Sequence, residues 1–252
     1  MTTTAIKSQQ QQHIQCYALP TPSPPPEPIV LYHEKKTSKT PWTTRWLNVL
    51  QRLLKELDGR DKMMKVIQYF IKILLHYKVV KAKHWSTLTS HFSMTRKILR
   101  LGTALGPLRE IQLKHDSVWN TLILSNEIVN AVSDDVFCLY KLGFFGSKVG
   151  DRSEILSAYC WFLGIMVDIR SAAQSYIKLT NAVKKHDGDE KSLLEHQKKI
   201  FVMEVSIVKL LMDGVFCACD ILQPSYSSSV QAWSGFFSGA LAGYKLCIKF
   251  SN

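Results

Sequence analysis

The segment GRDKMMKVIQYFIKILLHYK, residues 59–78, decides the fold class of this chain. Read as a helix, it places polar and basic side chains three or four residues apart along one edge. Most other positions hold methionine, valine, isoleucine, leucine or an aromatic residue. The segment therefore predicts an amphipathic helix whose wide apolar arc must be covered by other helices or by lipid. Its narrow polar stripe consists of Lys62, Lys65, Gln68, Lys72 and His76.

The same helical period continues on both sides of this segment. From Trp42 onward apolar residues recur at intervals of three and four, and no stretch alternates as a strand does. We predict an all-α fold, a membrane-associated bundle of roughly six to eight amphipathic and apolar helices. Residues 1–41 contain QQQQ and PTPSPPPEP, which predicts a disordered arm. We further predict a basic amphipathic region over residues 42–128 and an apolar membrane-associated region over residues 129–252.

The positive charge is concentrated in one part of the chain. The formal net charge is +12, but residues 35–114 carry 18 Lys and Arg against 4 Asp and Glu. The remaining residues carry 14 Lys and Arg against 16 Asp and Glu. So strong a local excess indicates an anionic partner, either phospholipid headgroups or nucleic acid. A solvated basic face without a partner is the alternative.

Residues 92–111 have the pattern of a helix that lies in a membrane interface. Apolar residues recur at steps of four and three along one side, and basic residues occupy the other. Each basic residue near an anionic surface contributes on the order of 1 kcal/mol. Two glycines and a proline weaken this helix in water, so contact with a surface would order it. A surface helix packed on the protein's own core is the alternative. The apolar stripe is Met94, Ile98, Leu101, Leu105 and Leu108.

A second pattern lies near the end of the chain, where Gly235, Gly239 and Gly243 share one helical face. Such a stripe of small residues allows two helices to approach closely. Residues 230–248 carry one charge and are long enough to be a modest candidate for a membrane span. Residues 155–167 are apolar but short, and residues 206–222 are interrupted by charges. A deeply buried pair of helices in a soluble protein is the competing interpretation.

The sequence contains no catalytic or metal-binding pattern. Phosphate-binding loops, dinucleotide fingerprints and the motifs of serine and zinc hydrolases are all absent. The six cysteines have no metal-knuckle spacing, which predicts buried free thiols in a reducing compartment. Asp134 and Asp135 point to different faces of a helix, which favours a solvated cap or turn over acid–base chemistry. We therefore predict no enzyme activity, no cofactor and no metal site.

Four stretches of this sequence resemble the peroxin 11 family of peroxisomal membrane-elongation proteins, most nearly its fungal members. LDGRDKMMKVIQYFIKILLHY is similar to the family's opening Gly-Arg-(Asp/Glu)-Lys segment and the aromatic-rich helix that follows it. TRKILRLGTALGPLREI resembles its basic amphipathic segment, and YCWFLGIMVDIR resembles its Trp-rich apolar segment. SGFFSGALAGYK is similar to its glycine-rich C-terminal segment. Together these stretches span about residues 57–247, most of the predicted helical region.

The resemblance implies a peroxisomal membrane protein that inserts its basic region into one leaflet, which curves and elongates the membrane before fission. It implies anionic phospholipid as a partner, self-association with copies or related family members, and recruitment of the dynamin-related fission machinery. Basic residues would contact headgroups and apolar ones would lie among acyl chains, while Gly235, Gly239 and Gly243 would form a helix-packing face. The predicted membrane-binding residues are Lys62, Lys65, Lys72, Arg96, Lys97, Ile98, Arg100, Leu101, Leu105 and Leu108.

Two other functions are compatible with the pattern. The helices could form a solute pore in the peroxisomal membrane, although no regular polar lining is visible. A soluble helical protein could bind nucleic acid through the basic region, with a steep dependence on salt. We predict a membrane partner and no nucleic-acid partner.

Overall fold

The computed structural model describes residues 42–113, 117–184 and 190–251, and these ranges form helices joined by short connections, with no strand among them. The predicted all-α fold is confirmed. The predicted arm over residues 1–41 lies outside the described residues. The helices are α1 (Trp42–Lys55), α2 (Leu57–His76), α3 (Ala82–Ile98), α4 (Leu105–Leu113), α5 (Val118–Lys141), α6 (Ser147–Lys184), α7 (Glu190–Leu222) and α8 (Ser227–Ser251).

Helix α2 packs on three other helices, which cover part of its wide apolar arc. It contacts α1, α3 and α8, while α8 packs on α7, α7 on α6 and α6 on α5. Helix α3 also contacts α5, and α4 packs on α5. The predicted boundary between residues 128 and 129 falls inside α5, and the division into two helical regions stays a prediction.

A glycine permits the tight junction between α1 and α2. Gly59 lies in the first turn of α2, and a Cβ atom added to it would lie 1.9 Å from the carbonyl oxygen of Leu53. No side chain fits there, because the neighbouring atom is backbone and cannot rotate away. The junction in turn brings the next residues of α2, including Asp61, against α3.

The amphipathic segment over residues 92–111 is two helices, so the prediction of one continuous helix is wrong. Helix α3 ends at Ile98 and α4 begins at Leu105. Between them the backbone turns with bonds from residue i to i−3, and Gly102 has a φ angle of 80°. This left-handed conformation is open to glycine without steric cost. The sequence thus places a corner inside the predicted stripe.

Several polar side chains are buried beside the apolar core, and many large apolar side chains are exposed. The buried side chains include Asp61, Gln68, Asp213 and Ser238. Large apolar side chains are exposed on the outer faces of several helices, for example Leu50 of α1, Phe70 of α2, Leu163 of α6, Leu211 of α7 and Phe237 of α8. Exposed apolar surface of this extent marks contact with a membrane or with other proteins.

Helix α6 is the one helix among the described residues that is long and apolar enough to cross a bilayer. This apolar stretch is Ser147–Val183, and only 11% of an 18-residue apolar segment within it is buried inside the protein. It contains residues 155–167, which alone are too short for a membrane span. The helix is long enough because it continues in both directions beyond them. Helix α8, the candidate for a span over residues 230–248, instead buries its small residues against α2 and α7.

Candidate membrane interface

The first group of predicted membrane-binding cations surrounds a buried carboxylate, Asp61. The Oδ1 atom of Asp61 accepts a hydrogen bond from Arg96 Nε at 3.0 Å, and Oδ2 accepts one from Arg100 Nη2 at 2.7 Å. Lys62 Nζ lies 3.2 Å from Oδ2, and Arg96 Nη1 donates to Gln68 Oε1 at 2.8 Å. Burial alone would raise the pKa of Asp61, but the three cations outweigh burial and hold the pKa far below its usual range.

A second buried carboxylate, Asp213 of α7, holds Lys65. Lys65 Nζ lies 2.9 Å from Asp213 Oδ1, and Lys209 Nζ lies 2.8 Å from Oδ2. Ser238 of α8 donates its hydroxyl to Asp213, and its oxygen accepts a bond of 2.8 Å from Lys65. Burial lowers the pKa of Lys65 to about 8 against the opposing effect of Asp213. This cluster joins α2, α7 and α8.

A third set of contacts fixes the corner between α3 and α4. Lys97 Nζ lies 2.7 Å from Asp134 Oδ1 and 4.4 Å from the centroid of the Phe137 ring. The backbone N–H of Gly102 donates to Asp135 Oδ2 at 3.0 Å. The prediction that Asp134 and Asp135 form a solvated cap or turn is therefore wrong. Both residues lie within α5 and hold the corner in place.

The apolar residues of the predicted stripe point outward at this corner. Leu105 is 69% exposed, and Ile98, Leu101 and Leu108 are also exposed. They form one apolar patch, which we call the corner patch, across the turn that separates the two helices. The rest of the described chain covers only part of this patch, although α3 packs on α2 and α5, and α4 packs on α5.

The six cations that are predicted to bind headgroups differ in the exposed fraction of their side chains. The side chains of Lys65 and Arg96 are 14% and 11% exposed and engaged with carboxylates, so lipid contact would require these ion pairs to open. The side chain of Arg100 is 44% exposed, and those of Lys62 and Lys97 are partly exposed. Lys72 is half-buried, with its ammonium 4.8 Å from the centroid of the Tyr69 ring. Membrane contact by all six cations stays a prediction.

The three glycines of the predicted packing face have different surroundings. A Cβ atom at Gly235 would lie 2.6 Å from ring atoms of Tyr69, and one at Gly239 would lie 3.2 Å from side-chain atoms of Lys65 and Val66. At Gly243 no atom lies within 4 Å of that position. Gly235 and Gly239 thus allow α8 to approach α2 within one chain. A packing role for Gly243 stays a prediction.

The prediction of buried free thiols is confirmed for four of the five cysteines that the structure describes, and Cys16 lies outside the described residues. Cys138, Cys160, Cys217 and Cys219 are free and buried, and Cys247 is half-buried. Burial raises the pKa of Cys217 to about 12, with further contributions from Asp220 and Asp213. Within the described ranges no group of His, Cys, Asp and Glu could hold a metal ion.

The two buried carboxylates are inward-facing, paired residues that sequence reasoning missed. Asp61 lies at the edge of the polar stripe whose lysines are predicted to bind headgroups, and Asp213 interrupts an apolar segment. An ionisable residue isolated in an apolar helix signals an inward-facing, paired side chain. That signal was present at Asp213 but was interpreted as a defect in a membrane span.

Acidification should destabilise the fold through these carboxylates. The pKa values of Asp61 and Asp213 are both lowered in the folded state from an ordinary value of 3.8. A lowered pKa means that the folded state holds fewer protons, so its contribution to stability is present above about pH 4 and is lost as the pH falls through the folded-state values. We expect the melting temperature of the purified protein to decrease as the pH is lowered below about 4. A melting temperature that stays level down to pH 2 would contradict the paired arrangement.

Comparison with known proteins places this arrangement in context. A protein-family model described as Peroxisomal biogenesis factor 11 (PEX11) matches residues 47–247. The Peroxisomal membrane protein 11 homolog of Dictyostelium discoideum is 32% identical over 137 residues, a match that covers 50% of this chain and 54% of the relative. The chain thus matches about half the length of this curated relative. No solved structure matches the chain.

Proposed function

Because the chain belongs to the PEX11 family and is a protein of the peroxisomal membrane, we propose that it remodels that membrane by inserting the corner patch into one leaflet. The insertion would curve and elongate the membrane before fission and so control the size and number of peroxisomes. No enzymatic step is part of this proposal.

The outward direction of the corner patch is the observation that carries the proposal. A fully buried leucine or isoleucine gains about 1.5–3 kcal/mol over an exposed one. Four side chains that are about half exposed, Ile98, Leu101, Leu105 and Leu108, leave on the order of 3–6 kcal/mol to be gained from contact with acyl chains. Because the patch is short and lies at a corner, it would enter only the outer part of one leaflet.

Insertion into one leaflet supplies a mechanism for curvature. Side chains that enter the headgroup and upper acyl region expand the area of that leaflet relative to the opposite one. The membrane relieves this difference by bending toward the protein. The ion pairs of Arg96 and Arg100 to Asp61 would keep the corner rigid, so that the lipid and not the protein yields.

The partly exposed cations would strengthen binding to anionic lipid. Arg100, Lys62 and Lys97 retain accessible side chains beside the corner. Each would contribute on the order of 1 kcal/mol near a surface that carries phosphate groups. The family resemblance extends the proposal to self-association and to recruitment of the dynamin-related fission machinery.

The decisive experiment reconstitutes the full chain into vesicles that contain anionic phospholipid and measures the fraction that becomes tubular. We expect tubulation by the unaltered protein and at least a tenfold loss with Leu101→Glu or Leu105→Glu, because 1.4 kcal/mol already corresponds to about tenfold. Thr95→Glu is the matched control, since it adds the same charge at an exposed polar position of α3. We expect the control to tubulate vesicles as the unaltered protein does.

Two results would contradict the proposal. One is tubulation by Leu105→Glu at the level of the Thr95→Glu control. The other is an unaltered protein that binds the vesicles without changing their shape.

A further inference from the structure

A polar cavity of about 610 Å³ lies inside the bundle, and no residue of the corner patch lines it. Its walls come from α2, α3, α5, α6 and α7, and Ala242 of α8 contributes as well. Sites for small molecules have volumes of about 300–1,000 Å³. The cavity is therefore large enough for an organic ligand, and it is separate from the outward-facing corner patch.

Positive charge dominates the lining of the cavity. All six basic residues that were predicted to bind headgroups line it, together with Lys209. The carboxylates of Asp134, Glu154, Asp213 and Asp220 also line it, and Glu154 and Asp220 are exposed residues. Even when Asp61 is added to these carboxylates, the lining retains two more cations than anions. The surplus matches the charge of a phosphate monoester, about −1.5 to −2 at neutral pH.

Lys72 accounts for part of this surplus. Within the described ranges no carboxylate lies within 4.0 Å of its ammonium group, unlike the other six cations of the lining. The ammonium instead lies beside the Tyr69 ring. Burial and then the charge of Arg96 lower the pKa of Lys72, while Asp220 acts in the opposite direction. An anion in the cavity would supply the missing partner.

Aromatic side chains form another part of the wall. The rings of Tyr69 and Phe216 meet edge to face at 5.5 Å between centroids, and Trp161 lies 5.9 Å from Phe216. All three residues line the cavity. A ligand that fits would therefore have a charged head and a small organic part that contacts rings.

We propose that this cavity binds a phosphate monoester carried on a small organic group. Guanidinium and ammonium groups are the usual phosphate ligands in proteins, since arginine donates in a fork and lysine acts as a point charge. The phosphate would contact Lys72 and the accessible faces of Arg96 and Arg100. The group could belong to a soluble ester or to a lipid headgroup, and both present the same charged atoms.

The test uses the full chain purified in detergent micelles, where membrane curvature plays no part. Binding is measured by calorimetry with glycerol 3-phosphate, the soluble monoester, and with glycerol as the uncharged control. A second arm measures binding to nanodiscs that contain phosphatidic acid, a lipid monoester, or phosphatidylglycerol, a diester. Saturable binding of glycerol 3-phosphate supports the site with a soluble ligand. Preference for phosphatidic acid over phosphatidylglycerol supports it with a lipid ligand.

Lys72→Gln is the variant that tests the position of the ligand. We expect about tenfold weaker binding, the loss of about one charge-assisted contact. Lys83→Gln removes an exposed lysine of α3 outside the cavity and should bind as the unaltered protein does. Lys72→Arg keeps the charge and should retain binding. It distinguishes a lost contact from a lost fold if the glutamine variant is less stable. Melting without ligand reports the fold of each variant.

Two results would overturn the proposal. One is no binding of glycerol 3-phosphate together with equal binding of the two lipids, and the other is undiminished binding by Lys72→Gln. Neither of these results bears on vesicle tubulation. The ligand site and the remodelling mechanism can therefore fail separately.

Discussion

Asp61→Asn is expected to lower the free energy of unfolding by about 3–5 kcal/mol, the usual effect of removing one partner from a buried ion pair. The carboxylate of Asp61 is almost fully buried and accepts hydrogen bonds from both Arg96 and Arg100. The asparagine side chain has nearly the same shape, but it cannot offset the charge of Arg96, whose side chain is only 11% exposed. The measurement is equilibrium unfolding of the purified protein in detergent micelles.

Asp58→Asn is the matched control for this substitution. Asp58 lies one turn earlier in α2, is exposed, and pairs with Lys62 at 2.9 Å. Exposed pairs of this spacing contribute about 0.3–0.5 kcal/mol. A destabilisation by Asp61→Asn no larger than that of Asp58→Asn would show that the buried cluster does not hold α2 to α3.

The second large effect is expected from Gly235→Ala, with a loss of about 1–3 kcal/mol from overpacking. The added methyl group would lie 2.6 Å from the Tyr69 ring. That ring is buried and meets Phe216 edge to face, so it has little room to move. The same unfolding measurement reports the effect.

Gly243→Ala provides the comparison within the same helix and on the same face. Nothing lies within 4 Å of a Cβ atom at Gly243, so only the helix propensity changes. Alanine is favoured over glycine in a helix by about 1 kcal/mol, and we expect this variant to be neutral or more stable. Equal destabilisation by the two substitutions would contradict the packing of α8 on α2.

The helical period sufficed to predict the class of the fold. The three- and four-residue spacing around residues 59–78 predicted a helix, and the structure has α2 at Leu57–His76. The family resemblance and the peroxisomal membrane as location were also confirmed. The fold class could be predicted because helical spacing is a local property of the sequence, whereas the family and the location rested on the resemblance of four stretches to the family's motifs.

The direction of the cationic stripe could not be predicted in the same way. Periodicity shows that Lys65 and Lys72 share a face, but the residues that meet this face come from distant parts of the chain. Asp213 lies 148 residues beyond Lys65, and Arg96 lies 35 residues beyond Asp61. The corner after α3 could not be predicted for a different reason. A regular apolar period can continue through a turn when Gly102 takes a left-handed conformation.

The outward leucines and inward charges constrain the chain from its synthesis onward. A newly made copy in water would expose apolar surface on several helices, and such copies would aggregate with one another. We therefore expect copies kept from lipid or detergent to come out of solution.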